Sequence, residues 1–246
     1  AGSDRFTASE VAYSETDQKY LLAGSGKDSN TVSFGWLEKQ GYNEASVPPS
    51  NVEDWRHVFV DPLTSSPTGT TLNFMKQTTA YGGEIIIGGK TNNIPWIAQY
   101  SSNGVQNWVS SSQSGDVEYF GVACVSLTSV IEEFYACGHK TGVGIDPVGF
   151  VEKFDNNGMP QWGKSAFHVN GSVKYNAIAA NDRGEVVVVG SVTDQAYIQG
   201  YLAKIDTTSG DILWDRTINS GRSPSLGAKN DVEVKNVYID GNDQIY

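Results

Sequence analysis

The sequence predicts an all-β protein: a β-propeller of four-stranded antiparallel blades, in four copies with the start of a fifth. Three observations predict it. Trp55, Trp108, Trp162 and Trp214 recur 53, 54 and 52 residues apart, and a period of this length marks a stacked structural repeat. A second aromatic series keeps the same beat at Trp36, Trp96, Phe150 and Tyr201. A third series, Gly24, Gly88, Gly138 and Gly190, closes an apolar run in each copy.

The fourth copy shows the unit most plainly. Tyr175 to Ala180 is a short apolar run, and Asn181-Asp182-Arg183-Gly184 is hairpin-turn chemistry, because Asn, Asp and Gly tolerate positive φ. Val186 to Val189 is all β-branched, the composition of a strand buried on both faces. Gly200 to Ile205 reads as a third strand, Asp206 to Gly210 as a turn, and Ile212 to Ile218 as a fourth strand carrying Trp214. The third copy repeats this order over Tyr119 to Val125, Phe134 to Cys137, Gly149 to Phe154 and Met159 to Ala166. The second gives Glu84 to Ile87, Trp96 to Tyr100 and Val105 to Ser110. The first gives Phe6 to Tyr13, Tyr20 to Ala23, Phe34 to Lys39, and a strand near Trp55 to Val60. No stretch combines helical periodicity with caps at both ends.

A four-stranded sheet of this size cannot bury its two faces alone, so neighbouring copies must stack, and a propeller is the usual closed solution. A single propeller is expected over 1–246, with blades at roughly 6–60, 70–112, 117–168 and 174–220 and a fifth beginning at 231–246. The period is about 53 residues. Val232 to Tyr246 reads as a first strand, a turn and the opening of a second strand. Tyr246 is accordingly expected not to be a natural C-terminus. A strand swap closing a four-bladed ring is the competing account. Identical placement in every copy favours core packing for the fourth-strand tryptophans over a carbohydrate-stacking row.

Phe154-Asp-Asn-Asn-Gly-Met-Pro-Gln-Trp162 and Ile205-Asp-Thr-Thr-Ser-Gly-Asp-Ile-Leu-Trp214 resemble the repeats of bacterial-type β-propellers of the SBBP class. Gly149-Phe-Val-Glu-Lys-Phe-Asp155 and Gly200-Tyr-Leu-Ala-Lys-Ile-Asp206 carry the likeness best, Trp96-Ile-Ala-Gln-Tyr100 in part and Trp36-Leu-Glu-Lys-Gln40 loosely. The same Asp…Gly…Trp runs are similar, more weakly, to the tryptophan-docking repeats of quinoprotein dehydrogenases. The resemblance implies a fold and a scaffold role and no single reaction.

Composition bounds the function. The chain has 28 acidic against 17 basic residues, a formal charge of −11, which disfavours a nucleic-acid partner recognised through a basic stripe. No apolar run of about 18 residues is present, so no membrane span is expected. Ala1-Gly2-Ser3-Asp4 suits a processed mature end or a tag scar. The Ser-, Thr-, Asn-, Gly- and Tyr-rich composition is that of an extracellular or periplasmic, secreted protein, and Asn170-Gly171-Ser172 is a glycosylation sequon. Cys124 and Cys137 end the first and second strands of the third copy. The expected register puts Cys137 opposite Phe120 and both side chains on one face, about four residues apart along the hairpin. At about 3.3 Å per residue that is too far for a disulfide, so two buried free thiols are expected.

Candidate chemistry is sparse. His57, His139 and His168 fall at different repeat positions, so no metal site is expected, and no cofactor. The turns Asp155-Asn-Asn-Gly158, Asn181-Asp-Arg-Gly184 and Asp240-Gly-Asn-Asp243 lack the full oxygen set of a calcium loop and read as hairpin turns. The loops joining second to third strands carry Asp28, Asp146 and Asp194, with Lys27, Lys90 and Lys140 just after the glycine. These are the candidate ligand-binding residues on one propeller face, or else solvated loop tips. Trp36 and Trp55 stand 19 positions apart, against 12, 12 and 13 in the other copies. The extra residues, Gln40 to Asp54, include Tyr42, Val47, Pro48 and Pro49, a candidate partner contact or a tolerated surface excursion. The expected function is non-enzymatic: a secreted scaffold that binds protein or glycan, possessing no catalytic constellation. The alternative is an enzyme of quinoprotein, lyase or hydrolase type acting at the channel mouth.

Overall fold

The computed structural model describes residues 5–14, 19–27, 33–43, 50–59, 69–78, 83–112, 116–126, 132–142, 145–166, 171–194, 197–219 and 231–246. The described chain is all-β and forms two compact units, Ala1–Ser111 and Ser112–Tyr246. Among the described residues no helix is long and apolar enough to cross a membrane.

The first unit holds two four-stranded antiparallel sheets. One is β1 (Arg5–Ser14), β2 (Lys19–Lys27), β3 (Ser33–Asn43) and β4 (Ser50–Phe59), and the other is β5 (Thr70–Gln77), β6 (Ile85–Thr91), β7 (Ile94–Tyr100) and β8 (Gln106–Ser111). In the second unit the third sheet is β9 (Val117–Ser126), β10 (Glu132–Gly142), β11 (Ile145–Phe154) and β12 (Pro160–Ala166). The fourth is β13 (Gly171–Ala180), β14 (Val186–Asp194), β15 (Tyr197–Ile205) and β16 (Ile212–Ile218). Each sheet is a simple up-and-down meander, the topology that short turns dictate.

Within each unit, consecutive sheets pack face to face. Leu21, Ala23 and Leu37 of the first sheet bury against Ile85, Ile87 and Trp96 of the second. Tyr135, Cys137 and Val151 of the third bury against Tyr175, Val188 and Tyr201 of the fourth. β14 is buried on both sides, as its valine run requires. Val186 and Val188 face the third sheet, while Val187 and Val189 face Val237 and Ile239 of the 231–246 segment. Each buried valine contributes about 2 kcal/mol. That segment folds into a hairpin: Ile239 bridges Ile245, and Asp240 N–H donates to the Gln244 carbonyl at 3.1 Å.

Every sheet carries two bulges at the same places. The first lies in the first strand, at Ser9, Asn73, Phe120 and Asn176, which are skipped in the pairing with the second strand. Immediately before it, Ala8, Leu72, Tyr119 and Tyr175 pair with Gly24, Gly89, Gly138 and Gly190. These same glycines pair on their other side with Trp36, Trp96, Phe150 and Tyr201. The repeated glycine of the second copy is therefore Gly89, one residue beyond the expected Gly88. Its conservation of place has a steric cause. A Cβ on Gly89, Gly138 or Gly190 would collide with the backbone carbonyl oxygen of Thr71, Glu118 or Lys174 respectively. The first strand, bent by its bulge, lies directly on the glycine. The second bulge lies immediately before the fourth-strand tryptophan. Trp55, Trp108, Trp162 and Trp214 pair with Lys39, Gln99, Lys153 and Lys204, and the preceding Asp54, Asn107, Gln161 and Leu213 are skipped.

The bulge at Phe120 corrects the cysteine geometry. Cys137 pairs with Gly121, not Phe120, and Cys124 pairs with Phe134. An odd offset along β10 puts the two sulfurs on opposite faces. Neither cysteine is in a disulfide; Cys137 is buried and Cys124 only partly so.

The described parts of the Gln40–Asp54 insertion are strand. They lengthen the β3–β4 hairpin, with Gln40, Gly41, Tyr42 and Asn43 pairing with Glu53, Val52, Asn51 and Ser50. Val47, Pro48 and Pro49, and the Tyr42 side chain, lie outside the described residues.

Candidate functional site

The second strands run two to four residues past their glycines, so the lysines expected on loop tips lie on strands. Lys27, Lys90 and Lys140 belong to β2, β6 and β10. They also stand three, one and two residues after Gly24, Gly89 and Gly138, so no two share a repeat position. Lys27 is exposed. Lys140 is half-buried, its Nζ 4.3 Å from the centroid of the Phe150 ring, a cation–π contact that holds the side chain against its own sheet. Asp146 is exposed on β11. Asp194 closes β14 opposite Tyr197; its side chain and all of Asp28 lie outside the described residues. In the second unit, Lys140 and Asp146 share the β10–β11 hairpin and Asp194 sits at the corresponding end of the next sheet.

The acidic turns use their own oxygens. Asp155 Oδ1 accepts from the Asn157 and Met159 amides, at 2.9 and 2.8 Å. Asp206 Oδ1 accepts from Thr208 and Ser209, Asp240 Oδ1 from Asn242 and Gln244, and the Asn181 amide oxygen from Arg183 and Glu185. Backbone donors at Ser209 and Thr208 hold the Asp206 carboxyl below the usual range, and the Gln244 amide does the same for Asp240. These are Asx turns. Among the described residues no three His, Cys, Asp or Glu side chains gather as a metal site.

The most elaborate polar arrangement joins the third and fourth sheets. Lys153 Nζ pairs with Glu133 at 2.7 Å and donates to the Thr207 carbonyl in the β15–β16 turn at 3.0 Å. It also stands 5.5 Å from the Tyr135 ring centroid. Tyr135 donates to Glu133 at 2.5 Å and packs on Trp162, with ring centroids 6.0 Å apart. Burial, then the neighbouring Glu133, push the Tyr135 hydroxyl well above its ordinary pKa, so it stays a donor. Trp162 Nε1 donates to the same Thr207 carbonyl at 3.4 Å. Gly210, at a φ of +76°, lies so close that a Cβ there would strike the Trp162 ring. Lys164 closes the seat on Asp211 at 3.1 Å, lowering the Asp211 pKa. The first unit repeats the central contact: Lys39 Nζ donates to the Ser102 carbonyl in the β7–β8 turn at 3.1 Å. Trp162 thus marks where the third sheet receives the fourth sheet's turn.

Two buried groups escaped the sequence reading. Glu152 is buried and accepts from Tyr119 and from Ser112, the latter at 2.8 Å. Desolvation, then the Glu152 charge, raises the Tyr119 hydroxyl far above its usual pKa, which keeps it protonated. Glu38, buried at the equivalent place in the first sheet, accepts from Gln40. The signal was the Glu-Lys pair shared by Trp36-Leu-Glu-Lys and Phe150-Val-Glu-Lys, where the other copies carry Ala. The Tyr175 hydroxyl is also buried, with no hydrogen-bond partner among the described residues. Tyr175 lines a cavity of about 220 Å³ between the third and fourth sheets, on the side of β12 and β16, with Lys164, Ala166, Ile205 and Asp211.

No protein-family model matches the chain, and no curated protein matches it either.

Proposed function

We propose that the chain is a non-enzymatic β-propeller scaffold, of the SBBP-like kind, that works outside the cytoplasm and binds a protein or glycan partner. The observation that carries the reading is the recurrence of one set of fixings: a glycine under the bulged first strand, a tryptophan just after the second bulge, and, in the first and third sheets, a lysine reaching into the next sheet's turn. The most elaborate polar cluster, around Lys153, and the acidic turns hold strands and sheets together, which is what a scaffold needs. The propeller geometry has its own support. β5 packs against β1, β2 and β3, and β13 packs against β9, β10 and β11, while β12 and β16 flank a cavity. Sheets close at their first strands and open at their fourth are wedges, the shape that blades around an axis require.

The ligand-binding residues in this reading are Lys27, Asp28 and Lys90 in the first unit and Lys140, Asp146 and Asp194 in the second. The 40–54 insertion, whose sequence includes Tyr42, Val47, Pro48 and Pro49, is a second contact. The test is a glycan array, together with a panel of immobilised extracellular proteins, probed with the wild type and with a Lys27→Glu/Lys90→Glu variant. The expected result is saturable binding that the variant weakens. Absence of binding on both surfaces would count against the scaffold role.

A further inference from the structure

The face of the fourth sheet that turns away from the third repeats the charged pair and indole of the seat around Trp162, and among the described residues no turn lies on it. Aligning the sheets on Gly138 and Gly190 makes the charged pair, the indole and the outer cation correspond, while Val187 stands where Tyr135 does. Glu185 and Lys204 stand where Glu133 and Lys153 stand, and they pair in the same way, at 2.5 Å. Trp214 pairs with Lys204 as Trp162 pairs with Lys153. Arg216, two residues on, takes the place of Lys164. In the third sheet this seat is filled by the β15–β16 turn, which leaves the Lys153 side chain 13 % exposed. In the fourth, the Lys204 side chain is 23 % exposed, Trp214 is 36 % exposed, and Arg216 is also exposed.

We infer that this surface is a docking site for a β-hairpin of the repeat's own type, seated on the fourth sheet as the β15–β16 hairpin is seated on the third. The neighbouring part of the same face is already an interface. Val234 N–H donates to the Gly190 carbonyl at 3.1 Å and Val232 N–H to that of Ile198 at 2.9 Å. Asn181 and Arg183 both donate to Asp243, at 2.6 and 2.8 Å. The open seat continues this interface outward to β16.

The chemistry of the occupant follows from the filled seat. Its turn offers a carbonyl oxygen to Lys204 Nζ and Trp214 Nε1, as Thr207 does to Lys153 and Trp162. A glycine at positive φ lies on the indole, as Gly210 does, because a side chain would clash there. A carboxylate after that glycine meets Arg216, as Asp211 meets Lys164. Leu213 adds an apolar contact. It is 57 % exposed at the bulge position that Asp54, Asn107 and Gln161 fill in the other sheets.

The probe is a synthetic hairpin copying residues 197–219, closed at its open end by a disulfide because an isolated two-stranded hairpin is marginally stable in water. The peptide is dye-labelled and titrated with the whole protein, and binding is read by anisotropy. Saturable binding is expected. It weakens about tenfold when Lys204→Met or Arg216→Ala removes a charged donor from the protein, and at least as much when the peptide carries Gly210→Val. Lack of saturable binding by the closed hairpin, or binding indifferent to all three substitutions, overturns the inference. So does sedimentation showing that the protein alone dimerises in a Trp214-dependent way, which would make a second copy the occupant.

Discussion

Lys153 donates to the carbonyl oxygen of Thr207, 54 positions along the chain and one sheet away, at 3.0 Å. Lys39 makes the same bond to Ser102 at 3.1 Å. The lysine is also the counter-ion of Glu133, and their side chains are 13 % and 21 % exposed. Lys153→Met should therefore strand a partly buried carboxylate and an unmet carbonyl together. A loss of about 2 kcal/mol is expected from the charged hydrogen bond alone, read by urea unfolding. Trp162 emission should shift red as the turn lifts from its ring.

The glycines give a sharper test, because two classes are predicted to differ. A Cβ at Gly138 or Gly190 meets backbone, the carbonyls of Glu118 and Lys174, whereas one at Gly241 meets nothing within 4 Å. Gly138→Ala and Gly190→Ala should each cost about 3 kcal/mol or more, since backbone cannot yield as a side chain can. Gly241→Ala should fall within about 0.5 kcal/mol of wild type. Thermal unfolding of the three variants side by side checks this.

The turns predict a conservative rescue. Asp155→Ala removes the acceptor of two amide donors and should cost about 1–2 kcal/mol. Asp155→Asn should recover most of it, because Asn181 already performs the same role with an amide oxygen. Denaturant unfolding of both variants reads the difference. Calcium should change neither result.

Burial raises the Cys137 thiol far above its ordinary pKa. A raised thiol pKa means the thiolate, the reactive form, is absent at pH 8 in the folded state and appears only on unfolding. Cys137 should resist a disulfide reagent in the native protein and react in denaturant. Cys124, only partly buried and on the other face of the sheet, should react faster than Cys137. Mass spectrometry of the labelled sites separates the two.

Glu84 links pH to stability in the opposite sense from the Asx turns. Burial raises its pKa, and the bond from Gln99 only partly offsets this. A carboxyl with a raised folded pKa binds its proton more tightly folded than unfolded. Its contribution is thus most favourable below the unfolded pKa and falls as pH rises through the folded value. Glu84→Gln should flatten stability over that window, as unfolding midpoints measured across it would show.

Strand content, the four-copy organisation and the meander order were legible because local chemistry writes them: β-branched runs, Asx turns and a regular indole. The glycine of the second copy was misplaced because Gly88 and Gly89 are adjacent, and only the Leu72–Gly89 pairing tells them apart. The cysteine faces were misread for a related reason. A bulge at Phe120 shifts the pairing by one residue and so moves a side chain to the other face. The candidate lysines looked equivalent because each follows a glycine closely; the strands extend past those glycines and place them at three different positions.

By itself the sequence determined what each copy is made of, since turn type, strand composition and the repeat are properties of neighbours along the chain. The tertiary structure alone decided what the repeated residues are for. Trp162 and Lys153 hold the turn of another sheet, and Gly138 makes room for a backbone that passes over it. Contacts between residues about fifty apart depend on how one sheet lies on the next, and no local pattern carries that geometry.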